Sequence, residues 1–299
     1  MEAATTQEQT GTEIEQLPEM YRLQQDIDMV ACGKEVLRLL RQMDARPHDM
    51  GDKAYLSRVR VRYVMFLALK HRNPDVFLIP NDETETFWET HLLRPEMYRK
   101  DCTKLFGRVV PHHVEVDPTK REQGRANAKQ LWEAAYPPSV PEEIPSSQEE
   151  TEEQLLAILP EELRTVVRES LEVTEEDVIE DRNWLTYYNM YTQNVKHFDS
   201  YLQQSVESYL QFMYFCVTDH GQHGWLEPTY SIDLVWHLHM LHPEEYLQYC
   251  TRIANQLLIH VPWPKDRDDE QMQQGLRDTD KVWKERFGGS MHDVVVSAE

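Results

Sequence analysis

Between Pro228 and Cys250 the chain reads PTYSIDLVWHLHMLHPEEYLQYC, which sets one Asp, three His, one Trp and one Cys within 23 residues. Asp and His are ligands for transition metals, and their spacing can be tested against helix geometry. Asp233 and His237 are four apart and share a helix face. His237 and His239 are two apart, roughly 200° around the axis, so a regular helix cannot bring both to one ion. Asp233 and His237, joined by His260 from further along, are therefore the candidate ligands of a divalent metal. Two imidazoles and one carboxylate leave coordination positions open, as a metal-dependent hydrolase or oxygenase requires. The competing reading is structural. In it Asp233 accepts a hydrogen bond from His237, and His239 is a satisfied core imidazole on the apolar stripe of Val235 and Trp236. A Cys–His pair, Cys250 with His260 or Cys102 with His112, would need a thiol of lowered pKa. Cys250 falls mid-helix and Cys102 near a helix C-terminus, where the dipole disfavours a thiolate; core packing is the reading for both. The sequence has no Gly-rich phosphate loop, zinc-finger spacing, G-x-S-x-G or HExxH motif.

The run has a paler copy 148 positions earlier, PNDETETFWETHLLRPEMYRKDC, from Pro80 to Cys102. Pro80, Trp88, His91, Leu93, Pro95, Tyr98, Cys102 and His112 each meet the same residue type in the second copy, and Glu85 meets Asp233. After an insertion of three residues, Gly124 and Trp132 meet Gly275 and Trp283. The period is far longer than that of a solenoid and marks duplication of a whole domain. The copies differ where chemistry would be done: Glu89 stands opposite His237, and Arg94 opposite His242. A carboxylate-rich set of Glu85, Glu89, His91 and His112 is the first copy's counterpart. Trp236, His239, Tyr246 and Cys250, with Trp88, His91, Tyr98 and Cys102, form the expected motif core.

The elements that must position these residues read as helices. Apolar spacing predicts helices over 17–45, 52–71, 118–136, 152–171, 196–217 and 269–287, besides the two motif helices and the helices opened by Pro95 and Pro243. Gly107 and Gly288-Gly289 read as helix ends. Thr174-Glu-Glu-Asp177 has capping-box spacing before a helix through Trp184, Leu185 and Tyr188. Residues 137–153, rich in Pro, Ser and Glu, read as an acidic linker. The expected architecture is all-α: two homologous helical domains from an internal duplication, at 18–136 and 154–289. A disordered lead precedes them at 1–17 and a tail follows at 290–299. The two Trp-x-x-His helices are expected to face each other across a pseudo-twofold.

Fifty-three acids against 31 Lys and Arg give a formal charge of -22. Such a chain repels phosphate backbones, which argues against nucleic-acid partners. The one dense basic strip, Arg58, Arg60, Arg62, Lys70 and Arg72, reads as a solvated helix face. No apolar run reaches membrane-span length, and the polar N-terminus is no signal peptide. Four Cys without close pairs fit a reducing compartment, so the cytoplasm is the expected location.

The run IDLVWHLHMLHPEEY, with Cys250 and then His260, resembles the duplicated N-terminal region of the glycine-rich domain-containing proteins, known chiefly from plants. That family's pattern falls on Asp233, Trp236, His237, His239, Pro243 and Tyr246. The resemblance covers most of 18–289 and is diluted in the first copy. It implies an architecture, a domain of unknown function, and no mechanism. This sequence has no glycine-rich tail or RNA-binding module, so RNA-handling roles do not carry over. The leading expectation is a non-enzymatic interaction or scaffold protein with a protein partner. The alternative is the metal-binding protein described above.

Overall fold

Pro95 and Pro243, each at the first position of its helix, sit where a missing N–H costs nothing, and each separates a motif helix from its successor. The computed structural model describes residues 17–23, 27–44, 51–112, 114–144, 151–181, 198–219, 226–260 and 269–292. Among these there is no strand. The first half contains a 3₁₀ turn (Glu19–Tyr21), α1 (Met29–Asp44), α2 (Lys53–Arg72), α3 (Asp82–Leu92), α4 (Pro95–Phe106) and α5 (Pro118–Ala135). Then come α6 (Glu152–Leu156), α7 (Glu161–Glu169) and a helical segment at 175–181, here α8. The second half continues with α9 (Phe198–Asp219), α10 (Tyr230–Met240), α11 (Pro243–Ala254) and α12 (Asp269–Phe287). No helix among the described residues is long and apolar enough to cross a membrane.

Local chemistry sets the helix ends. Asn81 and Thr229 cap the two motif helices, α3 and α10, accepting from the N–H of Thr84 and Ile232. Gly107 and Gly288 end α4 and α12 with positive φ, at 72° and 80°, where glycine carries no Cβ penalty. Asn255 takes that role after α11 at φ 55°, so the helix stops at Ala254. Thr174 and Asp177 form the reciprocal cap before α8: Thr174 N–H donates to Asp177 Oδ2 at 2.8 Å, and Asp177 N–H donates to Thr174 Oγ1 at 3.4 Å. The rest of that helix, through Trp184, Leu185 and Tyr188, lies outside the described residues, as does nearly all of the expected lead.

Four expectations need correction. The helix expected from 17 begins at Met29, because the carbonyls of Met20, Tyr21 and Arg22 are taken by side chains of α11 rather than by helical N–H groups. Arg252 donates to Met20 and Arg22, and Tyr249 donates to Tyr21. The stretch expected at 152–171 is two helices, broken before Pro160, whose ring cannot continue α6. The basic strip is no solvated face: Arg58 and Arg62 are buried, and Arg62 Nε donates to Pro141 O at 3.1 Å. The polar segment after Pro137 is anchored as far as Glu142. Val140 O accepts from Trp132 Nε1 at 2.8 Å, and Glu142 O accepts from Asn81 Nδ2 at 2.9 Å.

The halves exchange helices. α2 packs with α3 and α5, and α9 packs with α10 and α11, giving two similar cores. Yet α1, which leads into the first core, packs mainly on α9 and α10 of the second and also touches α3. Gly33 allows that approach; a Cβ there would stand 2.7 Å from Leu202 Cδ1. In return α6 packs on α2, α7 packs on α4, and α8 binds the first core through ions. Arg60 pairs with Glu152 and Glu175, each at 2.9 Å. Arg94 holds Asp181 at 2.7 Å and Asp177 at 3.1 Å, and Lys53 pairs with Glu176.

A candidate metal centre in the second repeat

Asp233 and His237 lie one turn apart on α10. His260 arrives from the extended segment 257–260 that follows α11. A chain of hydrogen bonds holds that segment: Trp236 Nε1 donates to Tyr246 Oη at 2.8 Å, and Tyr246 Oη donates to Leu258 O at 2.7 Å. The indole of Trp236 meets the His260 ring edge-on, with centroids 4.8 Å apart. Trp236 and Tyr246, two residues of the expected motif core, thus carry His260 to its partners.

The three candidate ligands converge. His260 Nε2 lies 2.8 Å from Asp233 Oδ1 and 3.3 Å from His237 Nε2, and His237 Nε2 lies 3.7 Å from Asp233 Oδ1. All three side chains are at least 86 % buried, His237 being the most exposed at 14 %. Burial, reinforced by His260 and Arg94 and opposed by Asp233, pulls His237 down to about 4. It is therefore neutral near pH 7 and offers a lone pair, the form a metal needs. Asp233 has His260 as its near partner, not His237 as the structural reading expected.

The other motif residues do not join the trio. His239 points to the opposite side, its Nδ1 2.8 Å from Tyr209 Oη, and burial pulls it down to about 3. It is the core imidazole that its place on the stripe implied. His242 Nε2 lies 3.7 Å from Cys32 Sγ, across the exchanged helix α1. Burial pushes the Cys250 and Cys102 thiols up to about 11, and Tyr246 and Tyr98 are their hydroxyl neighbours. Neither has the lowered pKa of a nucleophile.

The first repeat repeats the frame. Trp88 Nε1 donates to Tyr98 Oη at 3.1 Å, which donates to Val110 O at 2.6 Å, and Tyr63 Oη lies 2.9 Å from His91 Nδ1. His112 Nε2 stands 2.8 Å from Glu85 Oε1, as His260 stands to Asp233. The set Glu85, Glu89, His91 and His112 does not assemble, because His91 faces Tyr63 and lies 3.3 Å from Asp101 instead. Both His112 nitrogens face acceptors, Glu85 Oε1 and Leu241 O, the latter at 2.5 Å. Lys70, placed in the solvated strip by sequence alone, lies over the Trp88 ring with Nζ 5.6 Å from its centroid. Its place seven residues after Tyr63 on α2, the helix that packs on α3, was the available signal. Among the described residues only Asp233, His237 and His260 gather as a metal-ligand set.

A family model described as glycine-rich domain-containing protein-like matches residues 2–101 and again 97–248. Two Arabidopsis thaliana proteins, glycine-rich domain-containing proteins 1 and 2, are each 26% identical to this chain, over 292 and 290 residues. Those alignments cover 92% and 90% of this chain and 34% of each relative, so the chain spans about a third of their length. No solved structure matches.

Proposed function

The chain belongs to the glycine-rich domain-containing protein-like family, and we propose that it is a metal-binding protein whose second repeat holds one divalent transition-metal ion. The observation that carries this reading is the triangle of ligand atoms, with edges of 2.8, 3.3 and 3.7 Å. A tetrahedral ion with bonds of about 2.0–2.1 Å sets its ligand atoms about 3.3 Å apart. Two imidazole nitrogens facing each other at 3.3 Å, with His237 held neutral, gain little from each other and much from a shared cation. Two His and one carboxylate suit zinc, iron(II) or manganese(II) and leave positions for water or substrate. A bound ion would supply Lewis-acid polarisation, and Asp233 would supply the charge that offsets it.

The scaffold reading also has an observation in its favour. The Trp–Tyr–carbonyl chain and the Tyr–His pair recur in both repeats, so the motif serves packing whether or not an ion binds.

Elemental analysis of the full chain, purified without chelators, separates the two. We expect one equivalent of metal per chain, lost in His237→Ala and kept in Glu89→Ala. Metal-free protein that also fails to take up zinc or iron(II) from a competing chromophoric chelator would overturn the proposal and leave the scaffold reading.

A further inference from the structure

The repeats differ beside their core imidazoles. In the first, Asp101 is fully buried and stands 3.3 Å from His91 Nε2, while it accepts from the N–H groups of Glu172 and Val173 at 2.8 and 3.4 Å. The residue 148 positions on is Tyr249, which carries no carboxylate; its hydroxyl donates to Tyr21 O at 3.1 Å. A cavity of about 220 Å³ lies against His239 and Tyr249. Leu23 and Ile27 give it an apolar wall, and α11 brings Glu245 and Arg252 to it. A protein cavity of about 150 Å³ holds benzene, so there is room here for a body of that size with a small polar head. Asp101 offsets the burial that lowers His91. No carboxylate among the described residues does so for His239, which burial, His242 and Arg252 together pull down to about 3.

We propose that this cavity binds a small monocarboxylate, whose carboxyl group takes against His239 Nε2 the place that Asp101 holds in the first repeat. Its apolar body lies on Leu23 and Ile27. Tyr209 Oη, 2.8 Å from His239 Nδ1, donates to that nitrogen, which leaves the one imidazole N–H on Nε2 to donate to the ligand. Arg252, 5.2 Å from the Tyr249 ring centroid, brings positive charge to that end of the cavity. Glu245 stands seven residues earlier on α11, about 10 Å along the helix, and disfavours a second carboxylate at the far end. An amine would meet Arg252 and an N–H where it needs an acceptor. The reading rests on the comparison of the repeats and is independent of the metal site.

Calorimetric titration of the full chain, first stripped of metal with a chelator, tests it with butyrate and benzoate, and with succinate, butylamine and butanol as probes. At least one of the two monocarboxylates should bind, and the three probes should bind at least tenfold more weakly. Ile27→Trp, which fills the cavity from its apolar wall, should abolish binding. Tyr249→Asp, which supplies the first repeat's carboxylate, should weaken it at least tenfold. Should either variant fail to fold, NMR of the unmutated chain gives a second readout: the ring signals of His239 should shift as benzoate is added, and those of His91 should not. Silence of both monocarboxylates overturns the proposal. So does binding that leaves His239 unmoved. Butanol or butylamine binding as tightly as butyrate would mark an apolar pocket with no anion site and overturn it too.

Discussion

His112 lies between Glu85 and the Leu241 carbonyl; His260 lies between Asp233 and His237. The rings are held alike, by an edge-on Trp at 4.5 Å in one repeat and 4.8 Å in the other. What differs is the residue one turn along the motif helix, Glu89 against His237, and what compensates the carboxylate. The first repeat has the Lys70 ammonium, whose charge Glu85 favours. The second sets Asp233 among two imidazoles, one of them held neutral by burial. A duplicated frame thus keeps its packing while its chemistry diverges at single positions.

The comparison can be broken at several depths. The largest effects should come from the shared frame: Trp88→Ala and Trp236→Ala should each cost about 3–5 kcal/mol, measured by denaturant unfolding. Clearly unequal losses would show that the two frames are not equivalent. Next come the contacts that fasten the exchanged helices. Arg94→Met leaves Asp181 buried without its cation and should cost about 3–5 kcal/mol. His242→Ala, at the matching position, removes a 3.7 Å contact with Cys32 and should cost less, about 1–2 kcal/mol in the same assay. Tyr63→Phe and Tyr209→Phe each strip the hydroxyl from a core imidazole and should cost about 1–3 kcal/mol.

The effect of pH is graded rather than abrupt. His239 is lowered to about 3 and His91 is lowered as well, chiefly by burial. The unfolded chain therefore takes up protons first, below an ordinary value of about 6.5. Stability should fall as pH drops through that value, by up to about 1.4 kcal/mol per unit for each ring, until the folded-state pKa is reached. Asp101, 3.3 Å from His91, opposes the lowering there, and Tyr249 stands at the matching place beside His239. Histidine NMR titration should find His91 protonating at higher pH than His239. The reverse order would deny Asp101 that role.

Much of this was legible in the sequence. The 148-residue offset marked the duplication, and the prolines and Gly107 marked helix ends. The i, i+4 spacing of Asp233 and His237 picked the pair that shares a face, and His260 joined them as a ligand type from further along the chain. The exchange was not legible. An apolar stripe on α1 says that the helix is covered and not by which half, and Arg94 and Asp181 are 87 positions apart. The anchoring of 137–142 works through backbone carbonyls, which have no residue signature. Lys70 and Arg62 were misread because long basic side chains bury their stems and find partners from distant segments.

The crossed packing of α1 also bears on how the chain is made. α1 ends at Asp44, yet the helix it covers is complete only at Asp219. At about 5–20 residues per second, a ribosome needs roughly 10 to 35 s to bridge that gap. During that interval the apolar stripe of α1, with Met29, Cys32, Val36 and Leu37, has α3 beside it but waits for α9 and α10. The first half is meanwhile missing α6 to α8. The first half is complete only once α8 has been made at 181, and the second only after α9, so neither half closes on its own stretch of chain.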